Sequence, residues 1–152
     1  MAGASRMHNT IAGNIFAKLH GHLAGKPCRP FMGNLKVGIA RRSQTLFYDP
    51  DIVVECATTL PNDDYITTEP KVIFEILSPS TERIDRREKF WAHMELESFE
   101  DYVQVDQQQA HIEIFRRTND WLPEITTETD ASLHLSSIDF TMSIAEVYAG
   151  LE

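Results

Sequence analysis

Residues 71–81 read KVIFEILSPST, a buried strand running into a helix start, with one carboxylate inside the apolar run. Side chains alternate faces along a strand. Val72, Phe74 and Ile76 therefore share one face, and Ile73, Glu75 and Leu77 share the other. A carboxylate set beside two large apolar side chains is costly unless a cation, a metal or a water-filled cleft compensates it. An edge strand with a solvated Glu, or a structural ion pair, would also accommodate it. In either case this strand needs a sheet around it and a helix packed on that sheet.

The flanking segments supply both. Met7, Ile11, Ile15, Leu19 and Leu23 recur every four residues, which predicts an amphipathic helix stopped near Gly25 and Pro27. CRPFMG, LKVGIA and LFYDPDIVVEC are short strand-like pieces, and TTLPNDDYITTEP reads as a loop. SPSTERIDRREKFWAHMELE reads as a helix, with Pro79 in its first turn and Ser78, Ser80 or Thr81 as its cap. DYVQVDQ and HIEIFRR alternate around a short polar turn, which predicts a hairpin. A weaker strand pair near Trp121–Ile125 and Leu133–Ile138 follows, then a short C-terminal helix, SIAEVYAGL. The expected class is α/β of the mixed (α+β) kind: a central mixed sheet flanked by helices. A chain of 152 residues, 42% hydrophobic, forms one such domain with one full core.

Composition narrows the function classes. No apolar run is long enough to span a membrane, and MAGASRMHNT lacks the pattern of a signal peptide. Cys28 and Cys56 are too few for a disulfide framework, so the chain reads as a reduced cytoplasmic protein. Net charge is −9, against indiscriminate nucleic-acid binding, but the charge is unevenly placed. Residues 1–48 hold no acid and seven bases, leaving 23 acids against 7 bases in the other 104 residues. A basic segment of this kind can face a polyanion while the rest of the surface stays acidic. Chance clustering of surface charge is the plainer reading.

A second acid behaves like Glu75. Asp51 follows Pro50 and opens the apolar strand IVVEC. The YDPD segment is a natural turn, which accounts for Asp49 better than for Asp51. Two carboxylates from neighbouring strands, projecting to one side, can hold Mg²⁺, which binds through one or two carboxylates and keeps several waters. Such a metal can activate water for phosphodiester displacement, and a nearby lysine would position that water or offset the developing charge.

PDIVVE, PKVIFEILSPST, DRREKF, FEDYVQVDQ, HIEIFRR and the terminal SIAEVY, in this order and spacing, resemble the Uma-type restriction endonucleases of the PD-(D/E)XK nuclease superfamily. The likeness runs from about His8 to the C-terminus. It implies a restriction-endonuclease-like core and Mg²⁺-dependent (or Mn²⁺-dependent) DNA hydrolysis. Asp51 matches the acid of the PD motif and Glu75 the acid of the E-x-K half, with the Ile76 carbonyl as a further metal ligand. Homodimerisation is a superfamily-level expectation.

Two departures qualify the resemblance. Leu77 stands where the superfamily pattern has Lys. Lys71 shares Glu75's face but lies roughly 13 Å along the strand. Lys89, in DRREKF, comes level with Glu75 if the helix folds back along the sheet. Ile84, Phe90, Trp91 and Met94 form the helix's apolar side, and Lys89 lies nearly opposite. Either Lys89 reaches the site or Asp85 and Lys89 form a surface pair. The first helix also lacks the further acid that many of these nucleases use, and His8, Asn9, Asn14 or His20 would replace it only weakly.

Lys18, Arg41 and Arg42 are the candidate phosphate contacts. Trp91, Phe90 and Phe99 read as core rather than as base-stacking residues. HGH at His20 and His22, with Cys28, lacks a matching zinc ligand set. Two function classes remain: a Mg²⁺-dependent endonuclease, favoured by the two acids, and a catalytically inactive nuclease-like module that binds DNA or a protein, favoured by Leu77.

Overall fold

The computed structural model describes residues 4–56, 63–78 and 83–151, with residues 83–86 described by their backbone alone. In chain order, helix α1 (Arg6–Leu23) is followed by β1 (Arg29–Met32), β2 (Lys36–Ala40), β3 (Thr45–Tyr48), β4 (Ile52–Glu55), β5 (Ile66–Thr67) and β6 (Pro70–Leu77). Then come α2 (Arg83–Met94), β7 (Asp101–Asp106), β8 (Ile112–Arg116), β9 (Pro123–Thr126), β10 (Ser132–Leu135), β11 (Phe140–Ser143) and α3 (Ile144–Val147).

Six strands form the central sheet in the order β1-β4-β6-β7-β8-β9. Only β6 and β7 run parallel; the other neighbours are antiparallel. A parallel neighbour requires a crossover connection, and α2 lies in it. The mixed sheet read from the sequence is thus the observed one.

Each face of this sheet is covered. On one side, Ile52, Val54, Val72, Phe74 and Ile76 meet the buried stripe of α1 and the β10–β11 hairpin. On the other, Val53, Ile73 and Tyr102 meet α2 and the small sheet β3-β2-β5. The alternation expected for KVIFEIL is therefore present in space. Register follows from it: slipping β6 by one residue would carry Glu75 into the apolar core on the α1 side, where a carboxylate without a partner is strongly unfavourable.

Several expectations need correction. LFYDPDIVVEC is two strands, broken at Asp49–Pro50–Asp51; β3 joins the small sheet and β4 the central one. β9 and β10 do not pair with each other. β9 extends the central sheet on β8, and β10 pairs with β11, whose four residues carry too short an alternation to stand out. Inside the segment read as a loop, Ile66–Thr67 pairs in parallel with β2. The suggested caps Ser80 and Thr81, and Pro79, lie outside the described residues. Cys28 and Cys56 are joined in a disulfide with Cα atoms 4.2 Å apart, where free thiols were expected. They flank the Arg29↔Glu55 pair, so the β1–β4 ladder itself brings them together.

Among the described residues, no helix is long and apolar enough to cross a membrane.

Candidate active site

The β4–β6 ladder pairs Ile52 with Phe74, which places Asp51, at the mouth of β4, beside Glu75 and Ile76. The Ile76 backbone N–H donates to Asp51 Oδ2 at 2.8 Å. The other carboxylate oxygen, Oδ1, lies 3.1 Å from His8 Nε2 at the start of α1. Asp51 is thus held from two sides, by the sheet and by the first helix.

Glu75 meets Asp51 through that residue's side chain and its backbone. Burial pushes the Glu75 carboxyl well above the usual carboxylate range, the Asp51 charge pushes it further, and the Lys89 charge opposes both. Two acids and one lysine therefore act on each other at one end of β4 and β6. The family resemblance implies the pairing of the two acids, and of the two places open to Lys89 from the sequence this is the one beside Glu75.

Phe90 sets the rotation of α2. Its ring packs on Tyr102 and Phe115, at centroid distances of 5.1 and 4.7 Å. One residue earlier, Lys89 is half-buried on the side toward β6. One residue later, Trp91 is 61% exposed, so its assignment to the core is wrong, while Phe99 is fully buried as expected. His93 lies between α2 and the small sheet, with its ring 5.0 Å from Tyr48 and 5.7 Å from Phe99. The helix thus packs on the central sheet through Phe90 and against the small sheet through His93, and Lys89, one turn before His93, is half-buried beside that packed surface. The Asp85 side chain, the alternative partner of Lys89, lies outside the described residues.

From the sequence, His8 is only a weak substitute for a missing acid. Its contact joins a helix start to a distant strand, and no local pattern announces such a contact. Its Nδ1 is buried and makes no hydrogen bond among the described residues.

The candidate phosphate contacts are not gathered into one patch. Lys18 Nζ pairs with Glu146 Oε2 at 2.8 Å, on the α1–α3 side. Arg41 pairs with Glu95 at 2.8 Å, just past the end of α2. Arg42 is exposed in the turn between β2 and β3. The HGH stretch forms no metal site: His22 Nε2 sits 2.9 Å from the Ile138 carbonyl, and Cys28 is in the disulfide. Among the described residues no group of three or more His, Cys, Asp or Glu converges on a metal-sized position.

Comparison with known proteins bears on the family and the fold. The Uma2 family model, described as "Putative restriction endonuclease", matches residues 1–145. The chain belongs to the Uma2 family. An uncharacterized protein of Synechocystis sp., slr1290, is 28% identical over 153 residues, covering 99% of this chain and 79% of that protein. A second uncharacterized Synechocystis protein, sll1609, is 25% identical over 124 residues, covering 80% and 70%. The crystal structure of a protein described as a "putative nuclease belonging to DUF820" from Anabaena variabilis superposes with a TM-score of 0.82. It covers 99% of this chain and 85% of its own at 17% identity, a likeness of fold. In this Uma2 chain the two acids stand on adjacent strands of that fold, and Leu77 departs from the E-x-K pattern.

Proposed function

We propose that this Uma2 protein is a Mg²⁺- or Mn²⁺-dependent endonuclease that hydrolyses phosphodiester bonds in DNA. One observation carries the reading: the Asp51 and Glu75 carboxyls converge from adjacent strands, where burial and mutual charge both resist ionisation of Glu75. A divalent cation offsets that repulsion. The donor set suits it, because a hard cation takes one or two carboxylates and oxygen ligands, and the Ile76 carbonyl would be a third oxygen. When bound, such a metal supplies a water of lowered pKa and an electrophile for the phosphoryl oxygen.

The chain's own groups do the rest. Asp51 is fixed in place by Ile76 N–H and His8, so its carboxylate needs no reorganisation to act. His8 is a positioning residue. Lys89 brings a positive charge to Glu75 and stands in for the lysine missing at position 77. From there it orients the attacking water or offsets charge at the phosphorus.

Arg42 is a candidate phosphate contact. Lys18 and Arg41 would exchange an acidic partner for a phosphate, and exposed ion pairs of this kind are worth only about 0–1 kcal/mol. Two copies of the chain would serve the two strands of a duplex.

Leu77 favours a second reading, a catalytically silent nuclease-like module that binds DNA or a protein. Plasmid cleavage with Mg²⁺ or Mn²⁺ separates the two. Cleavage abolished by Asp51→Ala and by Glu75→Ala is the expected result. Cleavage that survives both substitutions sinks the site assignment, and no cleavage by the wild-type protein favours the silent module.

A further inference from the structure

Beside Glu75 the sheet carries a second polar feature. The β6–β7 ladder pairs Glu75 with Gln104, and the β7–β8 ladder pairs Gln104 with Glu113. Three polar side chains therefore cross one face of the sheet in a row, one strand spacing of about 4.8 Å apart. Gln104 is only 8% exposed, yet its amide makes no hydrogen bond among the described residues. Its amide atoms keep their contact with solvent, so the amide opens into the cavity beside it with a donor and an acceptor to offer.

Gln104 and Glu113 form part of the floor of a cavity of about 410 Å³ between α2 and the sheet edge, with Phe90 and Phe115 also in its lining. Trp91, 61% exposed, stands at its wall, and Arg87, one helical turn before Trp91, is also exposed there. Glu113 Oε1 is taken by His111 Nε2 at 3.1 Å, and Oε2 accepts nothing among the described residues. The cavity thus offers an aromatic wall, one amide with a donor and an acceptor, one carboxylate oxygen, and a cation at its mouth.

We infer that this cavity binds a single unpaired nucleobase of the nucleic-acid substrate, next to the phosphate held at Asp51 and Glu75. The inference rests on the nuclease reading for its substrate class. Each lining group has a part in it. The Trp91 indole gives a stacking face, which any base can use. The Glu113 carboxylate repels a phosphate and accepts from an exocyclic amino group, so the base points inward and its phosphate toward Arg87. The Gln104 amide reads the neighbouring edge position, as amides do on adenine. Adenine and cytosine fit this edge, and thymine, with carbonyl oxygens and no amino group, does not. A base paired and stacked inside a duplex cannot enter a trough roofed by a helix, so the nucleotide is single-stranded or extruded.

The test is fluorescence anisotropy of end-labelled single-stranded dA, dC and dT decamers with the full chain in EDTA, beside a fully paired duplex and a duplex carrying one unpaired adenine. The expected result is tighter binding of dA and dC than of dT. Trp91→Ala should weaken single strands and the unpaired-base duplex by about 10-fold, within the range for loss of one base stack. Trp91→Phe should keep most of the affinity. Gln104→Leu should erase the preference over dT, and none of these changes should alter binding of the paired duplex. Thermal melting of each variant establishes that it is folded.

Affinities within twofold of wild type for both Trp91→Ala and Gln104→Leu overturn the proposal, as does absence of binding by the wild-type chain. Glu75→Gln separates the two readings, because it should abolish cleavage and leave the Trp91 dependence intact. Trp91-dependent binding by a wild-type chain that cuts nothing supports the pocket and overturns only the nuclease reading. Metal-dependent cleavage without any Trp91 dependence does the reverse.

Discussion

Asp51 is tied to β6 by the backbone of Ile76, whose N–H donates to Asp51 Oδ2 at 2.8 Å. The bond fixes one acid against the strand that carries the other. Glu75 is thereby held where burial and a neighbouring carboxylate both favour its protonated form. Between the ordinary glutamate value of 4.5 and its raised value in the fold, Glu75 binds its proton more tightly in the native state. Stability therefore falls as pH rises through that window. Glu75→Gln should stabilise the metal-free protein at pH 7 by roughly 1–2 kcal/mol, a site bought at the expense of the fold. The gain should vanish below the ordinary glutamate value. Urea melts of the two proteins on either side of that value measure it. Equal stability at pH 7 would show that Glu75 carries no such penalty.

The same pair predicts a metal response that does not depend on catalysis. A ligand that binds only the native state stabilises it by mass action, about 2.7 kcal/mol at a concentration 100 times its Kd. Mn²⁺ or Mg²⁺ should raise the Tm of the wild-type protein by several degrees, and EDTA should reverse the rise. Asp51→Asn and Glu75→Gln should each abolish it. An unchanged Tm shift in both variants would place any bound metal elsewhere.

Lys89 is the residue on which activity turns, because Leu77 supplies no charge. Lys89→Met should lower the cleavage rate by about 10²–10³-fold, the usual range for loss of one group that stabilises charge in the transition state. The Mn²⁺-induced Tm shift should remain, since Lys89 is a cation and not a ligand. A variant that loses both cleavage and the Tm shift has lost the site's structure, and one that cuts at the wild-type rate leaves the lysine without a catalytic part.

Local patterns made the two acids legible, and non-local contacts hid most of the rest. Strand parity has a period of two, so Glu75 and Asp51 each stood out as an acid in an apolar strand, while their pairing on one side came from the family resemblance. The rotation of α2 was less accessible, because Phe90 is anchored by Tyr102 and Phe115 from strands that come later in the chain. The periodicity put Trp91 on the same apolar side as Phe90, and nothing in it says that Trp91 would face outward. His8 meets Asp51 only when α1 is laid against the central sheet. The Cys28–Cys56 bridge likewise depends on the Arg29↔Glu55 register, which composition does not encode.

That bridge closes a loop with a sequence separation of 28 and pins the edge strand β1 to β4. On chain entropy alone a loop of that size is worth about 3–4 kcal/mol. Reduction, or Cys56→Ser, should lower the unfolding free energy by roughly 2–4 kcal/mol and increase the denaturant dependence only slightly. Denaturant melts with and without reductant measure the difference. Identical melts would show that the β1–β4 ladder and α1 hold this edge without the bond.

His93 should weaken the fold in acid. Its Nδ1–H donates to the Lys89 carbonyl at 2.6 Å, which leaves Nε2 an acceptor, buried and without a partner among the described residues. The ring is walled by Tyr48, Phe99 and Tyr102, and the charge acting on it is that of Lys89. Burial first, and the Lys89 charge with it, lower its pKa from 6.5 to about 4, against the pull of the Lys89 carbonyl. Between those values the unfolded chain binds the extra proton, so His93 takes stability away as pH falls through 6.5 and has taken its full share below about 4. At about 1.4 kcal/mol for each pH unit, that share is on the order of 3 kcal/mol. His93→Phe keeps an aromatic ring in the same wall and removes the titration. Its stability should fall less steeply than the wild type's between pH 6.5 and 4, after a pH-independent loss of about 1 kcal/mol for the missing hydrogen bond. Denaturant melts across that range decide it, and parallel curves would assign the loss in acid to other groups.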